Sequence, residues 1–474
     1  MITPRFTCSQ TSESVIISVY CPSVRAADVE INVDETLVSL HVNPYFLRLN
    51  FSHALLEDDE SAAKYDPSSG YLTITLTKEV KGQEFKDLDL LTQLLAPRKT
   101  NAEPTIEVLA STNNEEEVLA SGINKLSLEQ DEILQGMRIA LAVETSDLYQ
   151  ALAAENDWQL PQQLPPETPL LETSVQKFYG FLNTHHGYFK HVNHTENEVN
   201  ELSDGAEILP PSERRQRRIQ HENDKWDEEY YMADYADDEY IQELLKWKHP
   251  HITAREEVKY TEEENLVMLR LPRKEYLATP LETHYLYLTL ATLLFSYAYE
   301  SRTNLHDPTP ESAWTICSLT PAFSALDPPS PELPYGTTTA SDPETFSSEE
   351  LAATFVASYR RSLSFPLYRS FALAEECRRD VSQILLQGKR SVIRCLLEIK
   401  HILDHHEVYY IYSKVWVDDF CSWTQASASD GKLNQLGEVL EKIKVEKTTV
   451  GWDLEELEAA TRDAISREPD SDDE

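Results

Sequence analysis

Glycine is scarce in this chain, with 12 in 474 residues, and neither G-x-G-x-x-G nor G-x-x-x-x-G-K-[ST] occurs. That excludes the glycine-dense loops that cradle dinucleotides and nucleoside triphosphates. Positive charge is short as well: 42 Lys and Arg stand against 82 Asp and Glu, a formal net charge of -40. Phosphate backbones need neutralising cations, so the balance argues against direct nucleic-acid binding and for a basic protein partner. The six cysteines, Cys8, Cys21, Cys317, Cys377, Cys395 and Cys421, are scattered and include no C-x-x-C pair. They read as reduced thiols, and neither a zinc ribbon nor a disulfide framework is expected. Long apolar runs are absent too. The strongest, Tyr285 to Tyr299, is uncharged but shorter than the roughly 20 residues a membrane span needs, so it predicts a buried core helix. The opening MITPRFTCSQ has no apolar signal core and no basic amphipathic run, which sets the expectation of a cytosolic or nuclear protein.

What is present comes first as alternation. VIISVY (15–20), VEINVD (29–34), TLVSLHV (36–42), YFLRLNF (45–51) and YLTITLT (71–77) each repeat with period two, punctuated by CPS and DPSSG. Half-buried antiparallel strands of this kind predict a small β-sandwich over 1–95, with Tyr45, Phe46, Leu47 and Leu49 in its core and rim. Residues 96–125 are polar, acidic and aperiodic, as a linker would be. Helical spacing then takes over across 126–450. Leu148, Leu152 and Ala153 share a face ahead of the break at 161–169, and Phe371, Ala374, Cys377, Val381 and Ile384 recur at three-to-four spacing up to Gly388. The fold class is therefore multidomain β plus α: an antiparallel sandwich followed by an all-α region. From Gly451 the tail 451–474 reads as a short helix and an acidic end that includes Ser471.

Three clusters invite a functional reading. His185, His186, His191 and His194 match no zinc spacing, so no metal is assigned. The following stretch reads as a mobile acidic loop near 192–222, ending in Arg214, Arg215, Arg217 and Arg218. That basic run is either a nuclear address or a helix start. His221 to Pro250 is the densest acidic–aromatic segment. Trp226 and Tyr230, and Tyr231 and Tyr235, are each four apart and so able to share a helix side. Asp234, Asp237 and Asp238 within it are candidate partner-binding residues. Arg360, Arg361, Asp418 and Asp419 are further candidates, either contacting a partner or forming internal ion pairs. The Asp418–Asp419 pair has no histidine, nucleophile or glycine-rich pocket identifiable beside it, so no catalytic residue and no cofactor is expected. Trp314 is expected in the core.

The order of strands, the PYFLRLNF segment (44–51) and KYDPSSGYLTITLTK (64–78) resemble the CS domain, the sandwich of the p23-type co-chaperones. Further on, SYAYESR around Tyr297, Tyr299 and Arg302, ESAWTICSLTPAFSALD (311–327), YRRSLSFPLYRSFALAEECRRD (359–380), ILLQGKRSVIRCLLEI (384–399) and VDDFCSWTQ (417–425) resemble, in order, the assembly chaperones of H/ACA ribonucleoproteins of the Shq1 type. The loop ESRTNLHDPTP (300–310) departs from the family's usual pattern. The resemblance implies a non-enzymatic protein that binds the pseudouridine synthase subunit of H/ACA particles. It would act as an RNA placeholder in nucleoplasm and cytoplasm, be released with the help of AAA+ ATPases, and touch neither nucleic acid nor membrane. The CS resemblance alone implies the competing role of general co-chaperone to the 90-kilodalton heat-shock chaperone. A hydrolase is the third class weighed, and the sequence offers no pocket chemistry for it.

Overall fold

The computed structural model describes residues 2–22, 24, 29–58, 60–95, 178–190, 199–253, 258–330 and 343–466. The expected linker at 96–125, the helix around Leu148, His191, His194 and Ser471 lie outside them.

Eight strands build the N-terminal part: β1 (Arg5–Gln10), β2 (Ser14–Tyr20), β3 (Glu30–Asp34), β4 (Leu37–Val42), β5 (Tyr45–Asn50), β6 (Leu55–Leu56), β7 (Ala62–Asp66) and β8 (Tyr71–Lys78). One sheet runs β1-β2-β8, with β6 and β7 both pairing β8; the other is β3-β4-β5, and all these pairings are antiparallel. The alternation that marks the strands in the sequence is the alternation of their burial. Val15, Ile17 and Val19 of β2 and Leu72, Ile74 and Leu76 of β8 point inward against Val38, Leu40, Leu47 and Leu49 of the other sheet. Phe46 lies on the outer face at 36% exposure, so β5 contributes its leucines to the core and its phenylalanine to the rim.

A short helix, α1 (Leu91–Leu95), leads out of the sandwich and into the helical body. The Thr92 hydroxyl donates to the Met268 carbonyl (3.2 Å), and its N–H donates to Gln425 (3.2 Å). Beside it, Arg390 grips Asp87 (2.9 Å) and Asp89 (2.8 Å). Sandwich and helical body thus belong to one compact unit.

The body comprises α2 (Pro211–Lys225), α3 (Glu228–Ala236), α4 (Glu239–Lys246), α5 (Pro250–Thr253), α6 (Glu262–Arg270), α7 (Pro280–Thr303), α8 (Ser312–Leu319), α9 (Pro321–Ser324), α10 (Ser348–Ser364), α11 (Phe371–Leu386) and α12 (Lys389–Asp404). Then α13 (Tyr410–Tyr412) passes through a π-helical stretch (Ser413–Val417) into α14 (Asp418–Ala426). It is followed by α15 (Asp430–Lys442), α16 (Lys447–Val450) and α17 (Leu454–Ser466).

Its axis is α7. Thr279 and Glu282 form a capping box at its start, with Pro280 in the first turn, where a missing N–H costs nothing. Every residue from His284 to Arg302 is buried, so the uncharged run read from the sequence is a core helix. No helix among the described residues is long and apolar enough to cross a membrane. Most of the helix's buried polar groups find partners, His284 Nδ1 and Glu300 Oε2 being exceptions. Thr289, Thr292 and Ser296 donate to carbonyls one turn back, and the His284 ring meets the Glu350 carboxylate at 3.0 Å. At its far end the fully buried Arg302 binds Asp380 through two bonds (2.6 and 2.8 Å). It also donates to the Leu244 and Trp247 carbonyls, closing the C-terminus of α4. Nearby, α11 and α15 approach closely enough that a Cβ on Gly437 would sit 3.0 Å from the Ser382 carbonyl.

Candidate functional site

The acidic–aromatic segment divides cleanly between inside and outside. Asp227 caps α3 by accepting from the Tyr230 N–H (3.0 Å). Tyr231, Ile241 and Leu244 then face inward, and the Tyr231 hydroxyl donates to Glu458 of α17 (2.7 Å). Trp226 ends α2 instead of sharing a helix with Tyr230. Its indole stacks flat on Trp452, with ring centroids 4.3 Å apart. Outward, Glu228, Glu229, Asp237, Glu239 and Glu243 are all exposed and make no ion pair among the described residues. Tyr230 and Tyr240 are exposed beside them, at 59% and 42%. This α3–α4 face thus presents free carboxylates beside two exposed tyrosines, each ring packed on one side, Tyr230 by Arg369 (4.9 Å) and Tyr240 by Tyr368 (5.3 Å).

The three candidate aspartates differ. Asp237 is exposed, and Asp238 accepts from Gln242 (2.8 Å). Asp234 is partly buried and accepts from the Arg369 N–H (2.7 Å), with that guanidinium at 4.0 Å. Burial raises its carboxyl above the usual range, and Arg369 opposes the shift. Beside Asp234 lies a groove of about 720 Å³ whose charges are mostly matched: Asp234 with Arg369, Glu376 with Arg379, Glu458 with Lys447. Among the described residues the unmatched negative charge is mostly on the outer face, Asp238 being a groove carboxylate with no ion pair.

Arg360 and Arg361 are turned inward. Arg361 is fully buried and Arg360 nearly so, and both meet Glu222, itself fully buried, at 3.5 and 2.7 Å. Arg360 also donates to the Val450 carbonyl and stacks over Trp452, while Arg361 reaches Glu201, Ser324 and the Ser318 carbonyl. Arg218 adds a third guanidinium to Glu222 (2.5 Å) and shares Asp327 with Arg215. One sequence expectation is corrected here, and one open alternative is decided in favour of a helix start. The stretch 199–222 is not a mobile loop, because 211–225 is α2. Arg214, Arg215 and Arg218 do not form an exposed basic address, because they are drawn into the body by the Ala206 carbonyl, Asp327 and Glu222. Only Arg217 of that run is exposed, paired to Glu213. Trp314, expected in the core, is 36% exposed.

Burial pulls the Glu222 carboxyl upward, yet Arg218, Arg361 and Arg360 together bring it below the ordinary carboxylate value. A depressed folded value means stability that is complete above the unfolded pKa and is lost as pH falls through the folded one. Acid titration of the full chain, followed by circular dichroism, is therefore expected to show a stability loss below the ordinary carboxylate range. The slope should be shallower in Glu222→Gln, and identical slopes would sink the assignment.

Asp418 and Asp419 form the other inward node. Asp419, 1% exposed, takes the His185 Nε2 (3.1 Å), Lys274 (2.9 Å) and the Tyr276 hydroxyl (2.8 Å). Burial raises its carboxyl, but these donors hold it below the usual range. Asp418 binds Lys400 and Lys414. The pair anchors the 178–190 segment and the π-helical stretch, so the sequence's functional alternative for it gives way to internal ion pairing. Arg360 and Arg361 are reassigned on the same ground, since a charge already enclosed by its own carboxylates offers no free face to a partner.

All six cysteines are unpaired, and burial lifts the Cys317, Cys377 and Cys395 thiols well above their ordinary value, the wrong direction for a nucleophile. Among the described residues one side-chain cluster has the donor set for a cation: His251, His306 and Glu398. The sequence reading missed it because its members come from three distant segments. The dipeptide-spaced histidines in HPH (249–251) were the only local signal.

The described residues define an architecture: a CS-type antiparallel sandwich joined through α1 to an all-helical body that carries an acidic–aromatic face. Comparison narrows it. Residues 3–95 match the family model described as "SHQ1-like, CS domain" and residues 249–454 the one described as "SHQ1 protein, Shq1 domain". Protein shq1 of Schizosaccharomyces pombe is 34% identical over 98% of this chain and 97% of its own length. The SHQ1 homologues of Xenopus tropicalis and Mus musculus are 30% and 29% identical, over 98% and 97% of this chain and 70% and 75% of theirs. The chain belongs to the SHQ1 family.

Proposed function

We propose that this protein is an assembly chaperone for box H/ACA ribonucleoproteins that holds the pseudouridine synthase subunit until guide RNA is loaded. Membership of the SHQ1 family supports the reading, and the α3–α4 face is the observation that carries it. Exposed carboxylates beside Tyr230 and Tyr240 offer a basic surface negative charge and flat rings, the two things RNA offers it. A net charge of -40 adds long-range attraction and speeds encounter. The protein acts by occupation and not by catalysis, in nucleoplasm and cytoplasm, and AAA+ ATPases assist its release.

Calorimetry of the full chain against the purified synthase subunit, with and without H/ACA guide RNA, tests this. Saturable binding that guide RNA abolishes is the expected result. Simultaneous binding of both, or no binding while the sandwich engages the 90-kilodalton heat-shock chaperone, would transfer the assignment to a general co-chaperone.

A further inference from the structure

We infer that His251, His306 and Glu398 form a binding site for a divalent transition-metal ion of the zinc class, joining three separate segments of the helical body. His251 is on α5, His306 lies in the loop after α7, and Glu398 is on α12. One ligand atom from each lies within 4.8 Å of the others. His251 Nε2 is 2.6 Å from one Glu398 oxygen, and His306 Nε2 is 3.8 Å from the other. Four-coordinate zinc bonded at about 2.0–2.2 Å holds its ligands roughly 3.2–3.6 Å apart. The two observed separations bracket that range, and side-chain rotation is needed to bring the three ligands, all within 4.8 Å of one another, onto one ion.

The chemistry of the surroundings favours an ion over a plain ion pair. A shared cation would replace the proton between His251 and Glu398 and draw His306 in. Supporting contacts are already built. The Tyr297 hydroxyl donates to the Glu398 oxygen nearer His306, fixing the carboxylate as outer groups do in metal sites. The His306 N–H donates to the Ser301 carbonyl (2.8 Å), and the residue is held at φ +63°, a conformation histidine adopts sparingly. His249, fully buried, lies against both histidines with ring centroids 5.0 Å from each. It accepts the His251 N–H at Nδ1 (3.1 Å), and its Nε2 has no partner. A cavity of about 340 Å³, lined by His306, Glu398 and Tyr297, gives an entry path and room for water as the remaining ligand. Two imidazoles and a carboxylate suit zinc and its borderline neighbours better than calcium or magnesium.

The test is titration of metal-free full-length protein with Zn²⁺ by calorimetry, and with Co²⁺ by visible absorption. One equivalent of Zn²⁺ should bind saturably, and Co²⁺ should give the intense bands of a four-coordinate nitrogen–oxygen site. His306→Gln should weaken binding by about a hundredfold or more, and Tyr297→Phe by about 10–100-fold. Zinc should raise the Tm of the wild type and not of His306→Gln. A histidine pair of the sandwich is the control: a His41→Gln, His53→Gln double variant, with neither residue buried, should bind as the wild type does. Absence of saturable binding, a six-coordinate Co²⁺ spectrum, or loss in the control with His306→Gln intact would overturn the assignment. The Co²⁺ spectrum of the wild type decides the matter even if a ligand variant fails to fold.

Discussion

Glu222→Ala is expected to remove about 3–5 kcal/mol of stability, the cost of leaving buried charge without its partner. The change takes a shared carboxylate from three guanidinium groups at once, Arg218, Arg360 and Arg361, each at most 9% exposed, and leaves Arg360 with no carboxylate partner among the described residues. Glu201 and Asp327 remain as counterions, but each is already engaged, by Arg361 and by Arg215 with Arg218 respectively. The arginines cannot retreat to water without opening α2 from α10. Since a native chain's stability is about 5–15 kcal/mol, this one change consumes a large part of it. Urea unfolding of the full chain measures it directly. A loss below about 1 kcal/mol would mean that the remaining carboxylates re-pair the cluster. Replacing Arg218, Glu222 and Arg360 together by well-packed apolar residues is the informative contrast, because a whole buried network is often replaceable where one member is not.

The second large effect is on association. On the proposed function, reversing charge at Asp237, Glu239 and Glu243 to lysine is expected to weaken binding of the pseudouridine synthase subunit by roughly 10–100-fold at low salt, mainly through a slower on-rate. All three are exposed and outside any ion pair among the described residues, so the fold should change little, by about 0.5 kcal/mol or less per site. Glu239 costs slightly more, because it sits in the first turn of α4 where a negative charge favours the helix. Asp234 is unsuitable for this experiment: its carboxylate accepts the Arg369 N–H, so reversing it would disturb folding and binding together. Stopped-flow association across a salt series reads the effect. An unchanged on-rate at low salt would place the partner on another face.

The sandwich was legible in the sequence wherever its strands bury one face. The alternation at 15–20, 36–42 and 71–77 is the alternation of burial in β2, β4 and β8. β1 and β7 escaped because β1 buries only Phe6 and β7 buries no residue fully. α2 was read as loop for a sharper reason. Its inward face is Arg214, Arg218 and Glu222, spaced four apart as an apolar stripe would be, but charged. Composition likewise revealed the surplus of acid but not which acids are free. Glu222 and Arg360 are 138 residues apart, and nothing local marks them as partners. The cluster at His251, His306 and Glu398 was hidden in the same way, its members brought together by the packing of α7 against its neighbours.

A helix without a solvent face has a cost during synthesis. α7 emerges from the ribosome as a run of leucine, tyrosine and phenylalanine, while α11, one of the helices packed most extensively against it, begins roughly 70 residues later. At about 5–20 residues per second, the run spends several seconds at the tunnel exit with part of its surface uncovered. Until α10 and α11 arrive, this protein is itself the kind of nascent chain that needs shelter from aggregation.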